Sequence, residues 1–253
     1  MKILVLPDVH GRQFWQVAVE HINSCDRVVF LGDYLDPYEF EEILVRKAIE
    51  NFRLIIDFAK QHPSKVVMLL GNHDMPYFSD DYLALSTYHC RWSREWHHVI
   101  KGVFDENQSL FKIAHQEDDV LFTHAGCSSR WLKSINVEPA SLGELVDDLN
   151  GLLSTNQGLK QLYMVSSRRG GCDEAGSCMW ADVVEMVGDY EGLHFADCPT
   201  VKQVFGHTLQ AHYDTERNIV SDKPVTTPTL KMLDTRCAYI LDTVTFTHNS
   251  LVH

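Results

Sequence analysis

Short apolar runs alternate with segments of helical periodicity in the first part of the chain. Strands are predicted over residues 2–6, 27–31 and 65–70, and helices over residues 14–22 and 38–61. The second helix is expected to end at His62-Pro63, because proline disfavours helical backbone in the residue before it. This βαβαβ order predicts parallel strands joined by right-handed crossovers.

The remainder of the chain mixes helical and strand signals. Helices are predicted over residues 93–111 and 142–165, strands over residues 119–123, 201–205, 238–242 and 243–247, and a loop over residues 166–177. The second long helix is expected to be interrupted near Gly151. Because the late strands are close in sequence, we expect part of the second sheet to be antiparallel. The order predicts an α/β fold with two packed sheets and helices outside them.

Length and charge limit the possible functions. The 253 residues fit one large domain or two small ones, and we place a single domain at residues 1–253. The formal net charge of −13 disfavours binding to long nucleic acid or anionic lipid. A small acidic cluster that binds cations remains compatible with that total.

The cysteines and the first apolar run give indications about the cellular compartment. The seven cysteines are scattered and match no common zinc motif, so we expect free thiols in a reducing cytosol. The run at residues 2–6 is too short for a secretory signal. No apolar stretch is long enough to span a membrane. A cytoplasmic protein without a membrane partner is therefore expected.

Five predicted strands end in residues that can bind metal. After the five apolar runs come, in order, Asp8 and His10, Asp33 and Asp36, Asn72 and His73, His124, and His207. Ligand sites in open α/β sheets form beyond the carboxyl ends of the strands, so these side chains should meet. Any one of them could simply make a turn, but five in this order are hard to explain by turns. Glycine precedes the key residue in three runs, which suits tight backbone turns around an ion.

The residue types also indicate the metal class. Carboxylate, imidazole and amide ligands without cysteine suit Mn²⁺, Fe or Zn²⁺ in a reactive site better than a structural zinc site. A carboxylate between two ions can bridge them, and paired ions about 3.5–4 Å apart can clamp the attacking and leaving oxygens of a phosphoryl group. Water held by both ions would lose a proton more easily and become the nucleophile.

These motifs together resemble the calcineurin-like metallophosphoesterase superfamily. The matching segments are Asp8-Val9-His10-Gly11, Gly32-Asp33-Tyr34-Leu35-Asp36, Gly71-Asn72-His73-Asp74, His124-Ala125-Gly126 and Gly206-His207-Thr208. The last two are similar to the branch that holds serine/threonine protein phosphatases and bacterial diadenosine tetraphosphatases. The resemblance implies a four-layer α/β/β/α sandwich of the metallo-dependent phosphatase type.

The resemblance also implies residue roles. Asp8, His10 and Asp33 would hold the first of two divalent metal ions, with Mn²⁺ as the first choice and Fe or Zn²⁺ as alternatives. The second ion would be held by Asp33, Asn72, His124 and His207, with Asp33 bridging. His73 would be the general acid, and Asp36 would orient it.

Two positions depart from the pattern. Protein phosphatases of this branch usually carry Arg after the second Asp of Gly-Asp-x-x-Asp, where this chain has Pro37, and other members carry a second His at the position of Leu209. The phosphate oxygens would still benefit from a directional donor, and a guanidinium from elsewhere in the chain is the best match. The candidates are Arg12, after the first motif, and Arg168 or Arg169 in the glycine-rich loop, with Arg169 preferred.

The leading functional hypothesis is hydrolysis of a phosphomonoester or a nucleotide-type phosphoanhydride by a metal-bound hydroxide. The substrate would be a phosphorylated small molecule or a phosphoprotein. A cyclic-nucleotide or nucleic-acid phosphodiesterase is the alternative, and a non-catalytic protein-binding scaffold is a weaker one. Two more histidines near the motifs, His115 and His212, are expected to serve packing or surface roles.

Overall fold

The strands of this computed structural model account for most of the predicted apolar runs. The structure describes residues 1–86, 89–209, 211–214 and 219–251, with no account of the side chains of 211–214 and 219–222. The strands are β1 (Lys2–Leu6), β2 (Arg27–Phe30), β3 (Val66–Leu69), β4 (Phe111–Lys112), β5 (Ala114–Glu117), β6 (Val120–Thr123), β7 (Lys202–Phe205), β8 (Ala211–Asp214), β9 (Ile219–Asp222), β10 (Val225–Thr226), β11 (Leu230–Met232), β12 (Ala238–Asp242) and β13 (Thr247–Leu251).

The helices lie between these strands and are mostly short. They are α1 (Val17–His21), α2 (Val45–Gln61), α3 (Met75–Phe78), α4 (Asp80–Leu85), α5 (His97–Asp105), α6 (Ser129–Ser134), α7 (Leu142–Gly151), α8 (Asn156–Leu162) and α9 (Val183–Val187). Single 3₁₀ turns occur at Phe14–Gln16, Glu39–Glu41, Gln108–Leu110, Leu152–Ser154 and Ser167–Arg169. Within the described ranges, no helix combines the length and apolar character needed to cross a membrane.

Eleven strands of the described residues form two mixed sheets. The first has the order β13-β12-β1-β2-β3-β4, and the second β10-β11-β7-β6-β5. Strands β1, β2 and β3 run parallel, as the βαβαβ order predicts, and β4 adds a further parallel strand. Strands β6, β7 and β11 are parallel in the second sheet. Strand β8 pairs only with β9, antiparallel, in a separate ribbon of the described residues.

Alternating side chains of β1 show how the layers pack. Ile3 and Val5 join an apolar cluster that also contains Phe122 and Val204 of the second sheet. Leu4 and Leu6 join the larger cluster that includes the helices. Because both faces of the strand are buried, β1 reads as a continuous apolar run rather than an alternating one. The two sheets therefore pack face to face with helices outside, which is the expected four-layer architecture.

The predicted helix over residues 38–61 begins too early. Helix α2 starts at Val45, and the residues before it form a loop with one 3₁₀ turn. Glu42 has a left-handed backbone with φ of 55°, which ends that turn. Glu41, which falls within the predicted helix, instead lies in this loop and pairs with Arg12 at 2.8 Å. A tertiary contact therefore overrides the local helical pattern.

Other boundaries also differ from the sequence prediction. The helix predicted over residues 93–111 is only α5 plus a 3₁₀ turn, because Phe111 joins β4 beside Met68. The strand predicted over residues 243–247 is wrong, since the Asp242 carboxylate accepts the N–H groups of Val244 and Thr245 and makes a turn. Strands β12 and β13 pair antiparallel, but in the first sheet; β5 and β10 supply the antiparallel part of the second. The predicted interruption near Gly151 is present.

Candidate active site

Five strand ends converge on one cleft between the two sheets. Asp8 and His10 follow β1, Asp33 and Asp36 follow β2, Asn72 and His73 follow β3, His124 follows β6, and His207 follows β7. Many of these side chains line a polar cavity of ≈ 340 Å³. Seven of these eight side chains are buried, and His73 is partly exposed. The sequence-predicted group is therefore assembled by strands that lie far apart along the chain.

The first possible ion-binding group consists of Asp8, His10 and Asp33. Their ligand atoms lie within 4.8 Å of one another. Nε2 of His10 is 3.6 Å from Oδ2 of Asp33. Two carboxylates and one imidazole are a donor set that suits a divalent cation such as Mn²⁺ or Zn²⁺.

The second group shares Asp33 with the first and adds His124 and His207. Nε2 of His124 lies 3.1 Å from Nδ1 of His207, and Oδ1 of Asn72 lies 2.9 Å from both nitrogens. Oδ2 of Asp33 is 3.6 Å from the same His124 nitrogen. Ligands about 2.1 Å from one octahedral ion stand about 3 Å apart, which matches this cluster.

The buried negative charge of Asp8 and Asp33 also favours the binding of cations. Among the described residues, no Lys or Arg side chain forms an ion pair with Asp8 or Asp33. The Asp8 carboxylate instead accepts the backbone N–H of His207, and Asp33 accepts that of His73. Burial, together with the nearby Asp33 charge, raises the pKa of Asp8. Divalent ions would supply the positive charge that these buried carboxylates lack.

The ring nitrogens are arranged for metal binding. Nδ1 of His10 lies 2.7 Å from the carbonyl of Leu35, and Nδ1 of His124 lies 2.8 Å from the carbonyl of Leu31. A carbonyl only accepts, so each Nδ1 carries the proton and each Nε2 keeps a lone pair toward the cleft. Burial lowers the pKa of His10 to about 3 and that of His207 well below its ordinary value. Neutral imidazole is the form that binds metal.

Left-handed backbone is concentrated at the site. His10, Asp33, Asp36 and His207 have φ values of 44°, 53°, 57° and 67°. Such conformations are uncommon for residues with a Cβ atom and cluster at functional sites. The strand ends thus turn sharply enough to aim these side chains back into the cleft.

Glycines let the backbone approach the carboxylates closely. A Cβ atom on Gly71 would stand 2.1 Å from Oδ1 of Asp33, and one on Gly206 would stand 2.2 Å from Oδ1 of Asp8. Both distances are far below van der Waals contact. The glycines before Asn72 and His207 are therefore required by the carboxylates of the neighbouring loops.

Asp74 ties two of the loops together. Its buried carboxylate accepts the N–H groups of Asp33, Tyr34 and Gly71 at 2.7–3.0 Å. These bonds fix the loop after β2 against the loop after β3. Asp74 belongs to the Gly-Asn-His-Asp motif, which could have marked it as a site residue, but no role was predicted for it.

His73 is held at the mouth of the cleft. Its Nδ1 lies 3.1 Å from the carbonyl of Arg91 and 3.4 Å from Oδ2 of Asp36. The other Asp36 oxygen accepts a 2.6 Å hydrogen bond from Tyr77, whose hydroxyl accepts the N–H of Ser93. Asp36 therefore does lie beside His73, and a chain of polar contacts fixes its orientation.

Electrostatics favour a protonated His73. Burial by itself lowers its pKa, while Cys90, Asp33 and Asp36 raise it, and the net pKa lies well above the ordinary histidine value. Burial also raises the pKa of the Cys90 thiol, so that group is neutral. The carboxylates are thus the groups that keep the proton on the ring, and bound cations would oppose them.

Comparison with known proteins decides the family. The model of the calcineurin-like phosphoesterases matches residues 1–210. The chain belongs to this family. It is accordingly a metal-dependent phosphate ester hydrolase, whose Asp and His groups could bind divalent ions.

Other comparisons add little to the family assignment. A solved structure described as a "putative diadenosine tetraphosphatase" aligns over 99% of this chain and 92% of its own, with 15% identity and a TM-score of 0.44. Similarity at that level carries no information about the substrate. No curated protein sequence matches the phosphoesterase.

The candidate arginines of the phosphoesterase occupy different environments. Arg168 and Arg169 line the polar cleft. Arg169 donates to the carbonyl of His207 at 3.4 Å and lies 3.7 Å from Asp182. Arg12 lies outside the lining of that cleft and forms a two-point ion pair with Glu41.

Some groups that position the candidate site lie outside any recognisable sequence motif. Tyr77 bonds Asp36 and the carbonyl of Arg91 bonds His73, yet neither lies in a recognisable motif. His115 pairs with Glu117 at 3.0 Å and does not line the cleft. His212 lies in β8, and its side chain is outside the description.

Proposed function

We propose that this phosphoesterase hydrolyses a phosphomonoester or a nucleotide-type phosphoanhydride at a two-metal site. The observation that carries the proposal is the shared position of Asp33, which belongs to both ion-binding groups. Asp8 and His10 complete the first site. His124, His207 and the Asn72 oxygen complete the second.

Mn²⁺ is the first choice for both ions, with Fe or Zn²⁺ as alternatives. Two bound divalent ions would lower the pKa of water and offset the negative charge of the phosphoryl group. Asp33 would be a ligand of both ions. The residues that donate hydrogen bonds to Asp8 and Asp33 would keep those carboxylates in place when no substrate is bound.

His73 would donate the proton that the leaving oxygen needs. The carbonyl of Arg91 and the carboxylate of Asp36 hold its Nδ1, which leaves Nε2 as the nitrogen that donates. The bond between phosphorus and the leaving oxygen breaks as that oxygen takes the proton. Asp36 acts through His73 and is a positioning residue.

Arg169 would bind the phosphate oxygens in place of the arginine that Pro37 replaces. A guanidinium can donate to two oxygens at once, and the ends of Arg169 are already oriented by His207 and Asp182. Arg12 is bound to Glu41 and to the carbonyl of Asp8, so its donors support the loops rather than the substrate. Arg168 also lines the cleft and would add positive charge near the phosphate.

Strand pairing supports one functional unit. Strand β12 pairs with β1, so the last part of the chain completes the sheet that carries Asp8 and Asp33. We therefore propose that residues 1–253 act as a single domain.

The decisive experiment combines metal analysis with a substrate panel. Pure protein is stripped with a chelator, reloaded with Mn²⁺, and tested on nitrophenyl phosphate, a phosphopeptide, a dinucleoside polyphosphate and a cyclic nucleotide. Asp33→Asn should lose both ions, whereas His207→Ala should mainly weaken the second. Full activity of metal-free protein would contradict the proposal, and turnover confined to the cyclic nucleotide would favour a phosphodiesterase.

A further inference from the structure

One histidine of the polar cleft has no part in the proposed reaction. His89 lines the cleft together with Arg168 and Arg169, and it lies between α4 and α5. Both of its ring nitrogens have partners: Nδ1 lies 2.8 Å from the hydroxyl of Tyr163, and Nε2 lies 3.2 Å from the carbonyl of Gly170. These partners follow His89 by 74 and 81 positions. His89 therefore joins two parts of the chain that are distant in sequence.

The partners of His89 define how its ring donates and accepts. A carbonyl can only accept, so Nε2 carries a proton and donates it to Gly170. With Nε2 protonated, a neutral ring accepts the hydroxyl proton of Tyr163 at Nδ1. Tyr163 directly follows α8, and its ring packs edge-on against those of Tyr82 and Trp180, with centroids 5.4 Å and 6.3 Å away. His89 therefore connects Gly170 to a packed aromatic cluster.

Gly170 stands at the tip of loop 166–171, which carries the two arginines of the cleft. At the base of this loop, the N–H of Ser167 bonds the carbonyl of Asp173 at 3.1 Å. Gly170 itself has a left-handed backbone with φ of 83°, and a Cβ atom added there would meet nothing within 4 Å. The hydrogen bond from His89 therefore restrains a tip that has open space beside it.

The segment that carries His89 is fixed against the loops of the candidate metal site. The next residue, Cys90, is buried, and its thiol donates to the carbonyl of Asn72 at 3.1 Å. The carbonyl of Arg91 lies 3.1 Å from Nδ1 of His73. Three consecutive residues thus contact the arginine loop on one side and the loop after β3 on the other. The position of the arginine loop relative to the metal site depends on this connection.

We infer that His89 is a positioning residue for the phosphate-binding arginine, because it fixes the tip of loop 166–171 and thereby the direction of the Arg169 guanidinium. The inference rests on the proposed function, in which Arg169 binds the phosphate oxygens. The side-chain contacts of Arg169 are long, at 3.4 Å to the carbonyl of His207 and 3.7 Å to Asp182. A long side chain with such contacts binds phosphate more tightly when its backbone is held in place.

Phosphate binding to Mn²⁺-loaded protein tests this role without turnover. Titration calorimetry with inorganic phosphate should give a dissociation constant about three- to tenfold higher for His89→Ala, which corresponds to the loss of about one hydrogen bond. The metal content should stay unchanged, because His89 contacts Tyr163 and Gly170 rather than a proposed ligand. His89→Gln offers one N–H donor and one carbonyl acceptor and should recover most of the affinity.

A double-mutant cycle separates an effect through Arg169 from direct contact with phosphate. Arg169→Ala alone should raise the dissociation constant of phosphate about 10–100-fold, because a charge-assisted contact is lost. If His89 acts through Arg169, adding His89→Ala to Arg169→Ala should change the constant by less than about twofold. Equal effects of His89→Ala in both backgrounds would overturn the inference, because His89 would then act on phosphate independently of the arginine.

His98→Ala is the matched control. His98 is an exposed histidine in α5 that does not line the cleft, so its replacement should leave phosphate binding unchanged. An unchanged dissociation constant in His89→Ala, beside a clear defect in Arg169→Ala, would overturn the inference and leave the proposed phosphate contact standing. An unchanged constant in Arg169→Ala would contradict both the proposed phosphate contact and the role of His89.

Discussion

Replacing Gly71 with alanine should damage the candidate metal site although it leaves every proposed ligand residue in place. The added methyl group would stand 2.1 Å from Oδ1 and 2.5 Å from the backbone N of Asp33. Real Cβ contacts stay beyond about 3 Å, so the carboxylate or its loop must move by about 1 Å. That loop is tied by Asp74, which leaves little freedom to adjust. Overpacking of this kind typically costs about 1–3 kcal/mol of folding stability.

The catalytic effect should exceed the effect on stability. A displacement of about 1 Å at a reacting centre can reduce the rate about 100-fold. We therefore expect Gly71→Ala to bind Mn²⁺ more weakly and to lose about 100-fold in kcat/KM on nitrophenyl phosphate. Calorimetric titration and metal analysis measure the first effect, and steady-state kinetics at saturating Mn²⁺ measure the second.

A second glycine provides the control. A Cβ atom on Gly102 in α5 would meet nothing within 4 Å, so Gly102→Ala should keep its activity and gain about 0.5–1 kcal/mol from better helix propensity. Thermal unfolding by circular dichroism separates misfolding from a local defect. A folded Gly71→Ala variant with normal metal content and normal kcat would refute the reasoning.

Further predictions concern the acid, the ligands and the arginines. His73→Ala should keep its metals but lose about 10²–10⁴-fold on alkyl phosphates and less on nitrophenyl phosphate, and an equal loss on both would indicate a positioning role. Metal analysis of Asp33→Asn should show both ions lost, whereas His207→Ala should retain one. Arg169→Ala should raise KM and weaken inhibition by inorganic phosphate with metal content intact, whereas Arg12→Ala should mainly lower the melting temperature; the reverse result would move the phosphate grip to Arg12.

The ends of the central strands could be predicted because local chemistry determines them. The run Ile3–Leu6 is apolar on both faces, and a run this short is typical of a strand buried between layers. The residue types at the strand ends could be interpreted because divalent cations prefer carboxylate, imidazole and amide ligands. The convergence of these ends then follows from the geometry of parallel strands.

The loop between Asp36 and α2 could not be predicted, because distant residues determine its shape. Its apolar spacing is helical, yet Arg12 holds Glu41 and Arg91 stands over Tyr38. The same limit applies to Arg91 itself, whose place beside His73 depends on a segment 18 residues away. Side chains that position other side chains leave no periodic pattern in a single sequence.

The candidate ligands come from both sheets, and this has a consequence for assembly. The N–H of His207 reaches the Asp8 carboxylate across 199 positions, and these residues follow β7 and β1 of different sheets. During synthesis, the ligands near the N-terminus would therefore be made long before the last ligand. The metal site could assemble only after most of the chain had been synthesised. Once the site is assembled, bound ions would link the two sheets. A single ion at a concentration a hundredfold above its dissociation constant would contribute about 2.7 kcal/mol to the free energy of unfolding. Metal supply would thus affect how stable the folded molecule is, as well as how fast it reacts.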